Sequence, residues 1–208
     1  MDSKEYFDRV AINWDQMRSS FFSEAVREKA IALADVKEGK EALDVGAGTG
    51  FITEGLVTKG LKVVAMDQSK AMLEKMRSKF SNFEKVIYVI GGAESIPFLD
   101  SSFDYIFANM CLHHVEDPAK AIREMARVLK PGGKLVITDL DEHNFTFLKE
   151  EHHDRWMGFK REEVKKWFLD AGLKGVFVEG IGESCCARSC CKGDYASVSI
   201  FVALGVKY

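Results

Sequence analysis

The sequence has no long hydrophobic run and no excess of positive charge, and each absence excludes a class of function. No apolar stretch approaches the roughly 18 residues that a membrane-spanning helix requires, so we expect no membrane span. The formal net charge of −3 argues against nucleic-acid binding, because contacts to phosphates need a positive surface. The first residues, MDSKEYFDRV, lack the apolar centre of a signal peptide, and the expected location is the cytoplasm.

Prolines are also few, and none of them interrupts an expected element. Pro97, Pro118 and Pro131 all fall at boundaries, and no repeat or low-complexity linker divides the chain. Of the 208 residues, 47% are hydrophobic and 29% are charged, values typical of a folded globular protein with a substantial core. We therefore predict a single domain over residues 1–208.

Short apolar segments rich in β-branched residues predict the strands of a sheet, and helical periodicity separates most of them. The segments are ALDV (42–45), LKVVAM (61–66), KVIYVI (85–90), FDYIFA (103–108), KLVITDL (134–140), VFVEG (176–180) and ASVSIFVAL (196–204). Strands that alternate with helices are typical of a doubly wound α/β fold, in which a mostly parallel sheet is covered on both faces. No helical pattern separates the last two strands, so the last strand is predicted to be antiparallel.

A glycine-rich turn, in LDVGAGTGFIT, follows the first strand and allows a ligand to approach the backbone closely. Phe51 stands where a nicotinamide-dinucleotide loop would have its third glycine, which argues against that cofactor. Asp44 before the turn would repel a pyrophosphate but suits a cationic amine, and Asp67 after the second strand suits ribose hydroxyls. The pattern indicates a nucleoside with a positive, phosphate-free tail, and S-adenosylmethionine fits it. A plain turn with Asp44 as a helix cap is the alternative.

Four segments occur in a fixed order: LDVGAGTG, VVAMDQSKAMLEKM, GGAESIPFLDSSFDYIFA and LHHVEDPAKAIREMARVLKPGGKLVITD. In this order they resemble the class I S-adenosylmethionine-dependent methyltransferases, in the branch similar to ubiquinone and menaquinone biosynthesis methyltransferases. The resemblance covers roughly residues 5–180. It implies a Rossmann-like methyltransferase fold, with a seven-stranded sheet whose last strand is antiparallel. It also implies an N-terminal helical lid over residues 1–35 and an α/β core over residues 36–208.

The same resemblance implies roles for individual residues. Asp67 would bind the ribose hydroxyls, while Gln68 and Met72 would flank the adenine. Relatives often carry an aspartate for the adenine amino group where this chain has Gly92, and Glu94 or a backbone carbonyl is the expected substitute. The implied cofactor-binding residues are Asp44, Gly46, Ala47, Gly48, Gly50, Asp67, Gln68, Met72, Ala93, Glu94, Asn109 and Met110.

Catalytic residues are harder to assign, because methyl transfer from a sulfonium mainly requires positioning and the exclusion of water. A general base is needed only when the acceptor carries a proton in its reactive state. Histidine titrates near neutral pH, and the candidates for such a base are His113, His114 and His153. Packing against the loop is the alternative for the paired His113 and His114.

The stretch GESCCARSCC, residues 182–191, concentrates most of the cysteines of the chain. The four are Cys185, Cys186, Cys190 and Cys191. A parallel sixth strand ends there and an antiparallel seventh begins, so we expect the segment at the carboxyl edge of the sheet, near the ligand. Three interpretations are open: small packing residues, thiolates that bind a soft metal or metalloid, or a reversible disulfide.

These observations predict an S-adenosylmethionine-dependent methyltransferase that acts on a small molecule, with a thiol or a metalloid among the candidate acceptors. A non-catalytic module that senses S-adenosylmethionine or a metal on the same fold is the alternative. The sequence names neither the acceptor atom nor an oligomeric state.

Overall fold

The computed structural model describes residues 3–81, 83, 86–189 and 193–208. Three helices come first, α1 (Ser3–Val10), α2 (Trp14–Phe21) and α3 (Ala25–Ala34). Strands and helices then alternate as β1 (Glu41–Val45), α4 (Phe51–Thr58), β2 (Lys62–Asp67), α5 (Lys70–Lys79), β3 (Val86–Ile90), β4 (Phe103–Asn109), α6 (Pro118–Val128) and β5 (Leu129–Leu140). The last elements are α7 (Thr146–Glu151), α8 (Arg161–Asp170), β6 (Leu173–Arg188) and β7 (Tyr195–Lys207).

The strands of the described residues form one seven-stranded sheet in the order β3-β2-β1-β4-β5-β7-β6. The first five strands pair in parallel, and β7 runs antiparallel to both β5 and β6. The predicted doubly wound sheet with an antiparallel last strand is therefore confirmed. The strand order reverses between β1 and β4, which is where ligands bind in sheets of this kind.

Helices cover both faces of the sheet and bury an apolar core on each. Leu56 of α4 and Met76 of α5 are fully buried on one face, together with residues of α3. Ile122 of α6 and Phe168 of α8 are fully buried on the other. Because both faces are covered, the carboxyl edge of the parallel strands is left as the place where polar side chains can meet a ligand.

The start of α6 shows how local sequence sets an element boundary. The side chain of Asp117 accepts a hydrogen bond from the backbone N–H of Lys120 at 2.9 Å, and Pro118 occupies the first helical position. The helix ends at Val128, and β5 begins at once with Leu129. Residues 131–133 then lie within an irregular first part of that strand, where the pairing with β4 shifts register.

The two C-terminal strands are longer than predicted and form a hairpin that extends past the end of β5. Leu140, the last residue of β5, pairs with Ile200, but the pairing of β6 with β7 continues to Arg188 and Tyr195. The first cysteine pair therefore lies in a strand and not in a loop. The hairpin overhangs the carboxyl edge of the sheet, as the predicted topology requires.

The N-terminal helices differ in how they pack. Val26, Ala30 and Ala34 of α3 are buried in the core beside the sheet. By contrast, α1 and α2 lie across the carboxyl edge, with α1 against α5 and α2 against β6. Within the described residues, no helix is long and apolar enough to cross a membrane.

Candidate active site

A cavity of about 310 Å³, the large cavity, opens at the carboxyl ends of β1, β2 and β4. Its volume lies near the lower end of the range of about 300–1,000 Å³ found for small-molecule sites. Ten of the residues implied to bind the cofactor line it: Gly46, Ala47, Gly48, Asp67, Gln68, Met72, Ala93, Glu94, Asn109 and Met110.

Asp67 connects the glycine turn to the start of α5. Its Oδ2 accepts the backbone N–H of Gly48 at 2.8 Å, and its Oδ1 accepts that of Ser69 at 2.8 Å. Withdrawal from water raises the pKa of Asp67, while these backbone hydrogen bonds oppose the rise. Gly48 has a φ of +54°, and a Cβ there would be in ordinary van der Waals contact with Nε1 of Trp14 at 3.6 Å. The turn thus presents bare backbone to the cavity.

The other two implied residues of this region, Asp44 and Gly50, do not line the large cavity. The carboxylate of Asp44 accepts hydrogen bonds from the backbone N–H of Thr53 at 2.9 Å and from its hydroxyl at 2.7 Å. Burial raises the pKa of Asp44 to about 7, in spite of the hydrogen bonds from Thr53. Gly50 has a φ of +97°, and a Cβ there would meet Phe80 at 2.5 Å. Both residues therefore support the glycine turn without lining the large cavity.

The environment of Gly92 accounts for the missing aspartate. A Cβ at this position would lie 2.8 Å from Nε2 of Gln68, so the amide of Gln68 occupies the space beside Gly92. Glu94 lines the large cavity, but its Oε1 accepts the backbone N–H of Asp117 at 2.8 Å at the start of α6. Glu94 as the substitute for the aspartate stays a prediction, and Gln68 is a second polar side chain in the same cavity wall.

The helices α1 and α2 cover the large cavity and are hydrogen-bonded to its floor. Asp8 of α1 accepts the hydroxyl of Ser69 at 2.6 Å, and Asp15 of α2 accepts the hydroxyl of Thr49 in the glycine turn at 2.6 Å. Phe7 and Trp14 line the cavity from above, with their ring centroids 5.2 Å apart. The lid over residues 1–35 stays a prediction: α1 and α2 lie over the cavity, but α3, within the same bounds, is buried in the core.

A second cavity of about 60 Å³, the small cavity, adjoins the first beneath α2 and the β6–β7 hairpin. The two cavities share five wall residues, Phe7, Trp14, Phe22, Met110 and His114. The rest of its wall is largely aromatic and aliphatic, with a polar group of His113, His152 and Asp154. A ligand in the large cavity would therefore lie next to a mostly apolar pocket with one polar corner.

The buried polar corner is an ion-pair cluster centred on His113. Its Nδ1 lies 2.6 Å from Oδ1 of Asp139, and its Nε2 lies 3.7 Å from Oδ1 of Asp154. Burial opposes a charge on His113, but the two carboxylates outweigh it and raise its pKa to about 9. Burial raises the pKa of Asp154 to about 6, against the effect of the neighbouring imidazolium.

His114 and His153, the remaining catalytic candidates, occupy different positions. His114 lines both cavities, and burial together with the charge of His113 holds its pKa well below the usual range. His153 lies outside both cavity walls, contacts the Tyr6 ring at a centroid distance of 5.0 Å with the ring planes tilted by 49°, and has a φ of +60°. A left-handed backbone at a non-glycine residue is uncommon and is found often at functional sites.

The cysteine segment is described only in part, since Cys190 and Cys191 lie outside the described residues. Cys185 lines the small cavity, which confirms that the segment reaches the ligand edge. Adjacent residues of a strand point to opposite faces, and Cys186 accordingly lies 3.8 Å from Ser197 on the other side. Both thiols are free. Two thiols on opposite faces cannot bind one ion together, so a metal site would need one member of each cysteine pair. Because Cys190 and Cys191 are not described, the predicted site at Cys185, Cys186, Cys190 and Cys191 gains no support here.

Among the described residues, one set of three potential ligand side chains lies within 4.8 Å, namely His113, His114 and Asp154. Because one nitrogen of His113 is bound to Asp139 and its proton balances two carboxylates, we interpret the set as an ion-pair cluster.

Sequence reasoning missed Asp139 and Asp154, as well as Cys111, which lines the large cavity. Asp139 had a detectable signal, since it is an acid within the apolar run KLVITDL.

Three comparisons bear on this site. The family model described as a methyltransferase domain matches residues 43–137. A demethylmenaquinone methyltransferase of Renibacterium salmoninarum is 35% identical over 67% of this chain and 59% of its own length. The 2-methyl-6-phytyl-1,4-hydroquinone methyltransferase 1 of Oryza sativa is 35% identical over 77% of this chain and 49% of its own length. The chain thus spans about half of the length of these curated relatives.

Solved structures agree on the fold. A chain in the complex between the Haloferax volcanii Trm112 methyltransferase activator and a methyltransferase superimposes with a TM-score of 0.79. The alignment covers 96% of each chain at 21% sequence identity. At that identity the likeness concerns the arrangement of the sheet and helices.

Proposed function

We propose an acceptor class for this chain, which belongs to the class I S-adenosylmethionine-dependent methyltransferases. It transfers a methyl group to a small acceptor with a hydroxylated aromatic ring. The observation that carries the proposal is the pair of adjoining cavities with a shared wall. The large cavity is suited to the donor. The small cavity, at about 60 Å³, holds only part of an aromatic ring, so a flat, mostly apolar acceptor would lie across the shared wall with one edge in the small cavity.

The residues of the large cavity fit the donor in size and chemistry. Bare backbone at Gly48 allows close approach, and the carboxylate of Asp67 is a strong acceptor for ribose hydroxyls. Phe7 and Trp14 cover the cavity from the lid and exclude water from the donor. The protein therefore contributes mainly by holding two reactants in line in a dry site.

The nature of the small cavity favours a quinol-type acceptor. Rings of Phe21, Phe22 and Trp14 form an apolar wall that suits a flat aromatic ring, while Asp154 and His113 form a polar corner that suits a hydroxyl group. The two relatives above are named for demethylmenaquinone and for a 1,4-hydroquinone. Thiols and trivalent metalloids are the remaining acceptor candidates from the sequence. Because Cys185 lies in the wall of the small cavity, both are included in the assay.

A release assay for S-adenosylhomocysteine tests the proposal. Wild-type protein with S-adenosylmethionine is incubated with 1,4-dihydroxynaphthalene, hydroquinone, an alkyl amine, an alkyl thiol or arsenite. We expect turnover with the dihydroxy aromatic compounds. Turnover with the thiol or arsenite alone would replace this acceptor class, and binding of S-adenosylmethionine without turnover on any compound would favour a non-catalytic sensing module.

Two adjacent cysteines provide a matched pair of variants for the acceptor pocket. Cys185→Phe places a ring in the small cavity, whereas Cys186→Phe places the same ring on the opposite face of the strand. We expect Cys185→Phe to raise KM for the aromatic acceptor at least tenfold and Cys186→Phe to change it little. Calorimetry should give the same affinity for S-adenosylmethionine in both. Equal effects of the two variants on KM would mean that the acceptor does not bind in the small cavity.

A further inference from the structure

Asp154 is a buried carboxylate with few partners at the polar corner of the small cavity. It is 5% exposed and lines that cavity. Its nearest side-chain nitrogen atoms are Nε2 of His113 at 3.7 Å and Nε2 of His114 at 4.0 Å, both beyond hydrogen-bond distance. Within the described part of the chain, no hydrogen bond to this carboxylate is found. A buried carboxylate normally has such bonds, so a group from a ligand is the expected partner.

The segment that carries Asp154 is hydrogen-bonded to a short 3₁₀ turn, Leu112–His114, which follows β4. The backbone N–H groups of Arg155 and Trp156 donate to the carbonyl of His113 at 3.0 and 3.1 Å. The indole N–H of Trp156 donates to the carbonyl of Val115 at 3.0 Å. The left-handed φ of +60° at His153 turns the chain immediately before Asp154. Such local strain, held by surrounding hydrogen bonds, is typical of functional positions.

A second carboxylate orients the imidazole beside Asp154. Asp139 binds Nδ1 of His113 at 2.6 Å and is itself held by the backbone N–H groups of Leu112 and Leu140, each at 2.8 Å. The other ring nitrogen of His113 therefore faces Asp154 with a positive charge. This charge helps to keep Asp154 ionised in a site that would otherwise favour the neutral acid.

We propose that Asp154 is the catalytic base that removes the hydroxyl proton of the acceptor, and that His113, held by Asp139, is its positioning residue. The inference rests on the proposed function, because it requires an acceptor with a hydroxyl group in the small cavity. The proposal assigns the removal of the acceptor proton, which is the one chemical step that the donor does not perform.

The step balances as follows for an aromatic hydroxyl. The hydroxyl proton passes to a carboxylate oxygen of Asp154, and the remaining electron pair, on oxygen or on the adjacent ring carbon, forms the new bond to the methyl carbon. The carbon–sulfur bond breaks, and its electron pair stays on the sulfur of S-adenosylhomocysteine. If carbon is methylated, that carbon then loses its proton and the oxygen takes one up again. One proton is released overall in either case.

The pH dependence of this base depends on the groups around it. The titratable side chains that face Asp154 are His113, His114, Asp139, His152, Tyr6 and Cys185. Among them His113 is the cation that lowers the pKa of Asp154, and Asp139 raises it. The net pKa of about 6 gives a base that is mostly ionised at neutral pH.

The test compares Asp154→Asn with the wild type on two phenolic acceptors of similar size, one with a phenol of ordinary acidity and one acidified by a nitro group. On the ordinary phenol we expect kcat to fall about 10²–10⁴-fold, which is the usual contribution of a general base. On the acidified phenol, which ionises without help near neutral pH, the loss should be less than tenfold. Asp170→Asn, at an exposed ion pair with Lys166, is the control and should match the wild type.

Two further measurements distinguish catalysis from structure. Affinity for S-adenosylmethionine of Asp154→Asn should stay close to wild type, and Asp154→Glu should recover part of the activity. In His113→Gln, the rise of kcat with pH should move to higher pH, because Asp154 loses the cation that favours its ionised form.

The results of these assays distinguish a failure of the role of Asp154 from a failure of the proposed acceptor class. Equal losses on both phenols, or full activity of Asp154→Asn on the ordinary phenol, would overturn the role of Asp154 while methyl transfer to aromatic hydroxyls stands. Absence of wild-type turnover on either phenol would overturn the proposed acceptor class and the base together.

Discussion

At the scale of single residues, Asp67 combines a structural and a binding task. Both of its carboxylate oxygens already accept backbone N–H groups, one from the glycine turn and one from the start of α5. Each oxygen has a further lone pair that can accept a ribose hydroxyl. The residue therefore both shapes the cavity and binds its ligand, and a substitution is expected to affect stability as well as affinity.

Asp67→Ala should weaken S-adenosylmethionine binding by about 1–3 kcal/mol, because charge-assisted hydrogen bonds to the ribose are lost. It should also lower the unfolding midpoint, since the backbone N–H groups of Gly48 and Ser69 lose their acceptor. Asp67→Asn keeps one acceptor oxygen and should lose less of both. Calorimetry and thermal unfolding measure the two effects. Unchanged affinity in both variants would remove Asp67 from the donor site.

Gln68 and Gly92 form a second residue-scale test, because the amide of one fills the space beside the other. Gln68→Ala should weaken S-adenosylmethionine binding by about 1 kcal/mol, the usual value of one hydrogen bond. Adding Gly92→Asp to Gln68→Ala should restore affinity, since the new carboxylate then has room and can accept from the adenine amino group. A double variant that binds no better than Gln68→Ala would contradict this assignment.

At the scale of secondary structure elements, the lid is held to the body by identifiable contacts. Asp15 of α2 accepts the hydroxyl of Thr49 in the glycine turn at 2.6 Å and pairs with Lys79 of α5 at 3.0 Å. Trp14, the neighbouring residue, lines both cavities. Opening of the lid must break these contacts, so they are expected to govern how quickly the donor leaves.

Asp15→Ala should speed dissociation of S-adenosylmethionine about five- to tenfold, in line with the loss of about 1 kcal/mol from one hydrogen bond. Stopped-flow measurements that follow the fluorescence of Trp14 give the rate. Asp170→Ala, which removes a carboxylate from α8 outside both cavities, is the control. Equal dissociation rates in the two variants would mean that this contact does not limit lid opening.

At the scale of the whole molecule, the buried cluster couples folding to pH. Burial disfavours the charge of His113, but Asp139 and Asp154 raise its folded pKa to about 9, above the value of about 6.5 for an unfolded chain. The folded state thus binds this proton more tightly. The stabilisation is fully present below pH 6.5 and is lost as the pH rises through 9.

Urea unfolding should therefore show a free energy of unfolding that falls between pH 7 and pH 10, by about 3 kcal/mol at most for this one group. Asp154, with a pKa of about 6, titrates mainly below this window, whereas Asp44, with a pKa of about 7, completes its titration in the lower part of it. His113→Gln should be less stable at pH 7 and should lack this fall. A wild-type slope no steeper than that of the variant would mean that His113 is neutral in the folded state.

The sequence by itself determined the features that depend on short stretches of chain. Strand period, the glycine turn and the acid at the end of β2 are local patterns, and parallel strands bring their carboxyl ends to one edge. Gly48 and Asp67 could therefore be placed at the carboxyl edge from local patterns, whereas Met110 followed only from the family resemblance. The absence of a helix between the last two strands was enough to predict that β7 is antiparallel.

Only the tertiary structure decided how distant segments meet. His113, Asp139 and Asp154 come from the 3₁₀ turn, the end of β5 and the segment after α7, and their meeting depends on packing that no local pattern encodes. The opposite orientation of Cys185 and Cys186 also depended on the strands extending through that segment. Hydrophobic periodicity specifies which face of an element is buried, but the contacts between polar side chains depend on the final distances between elements.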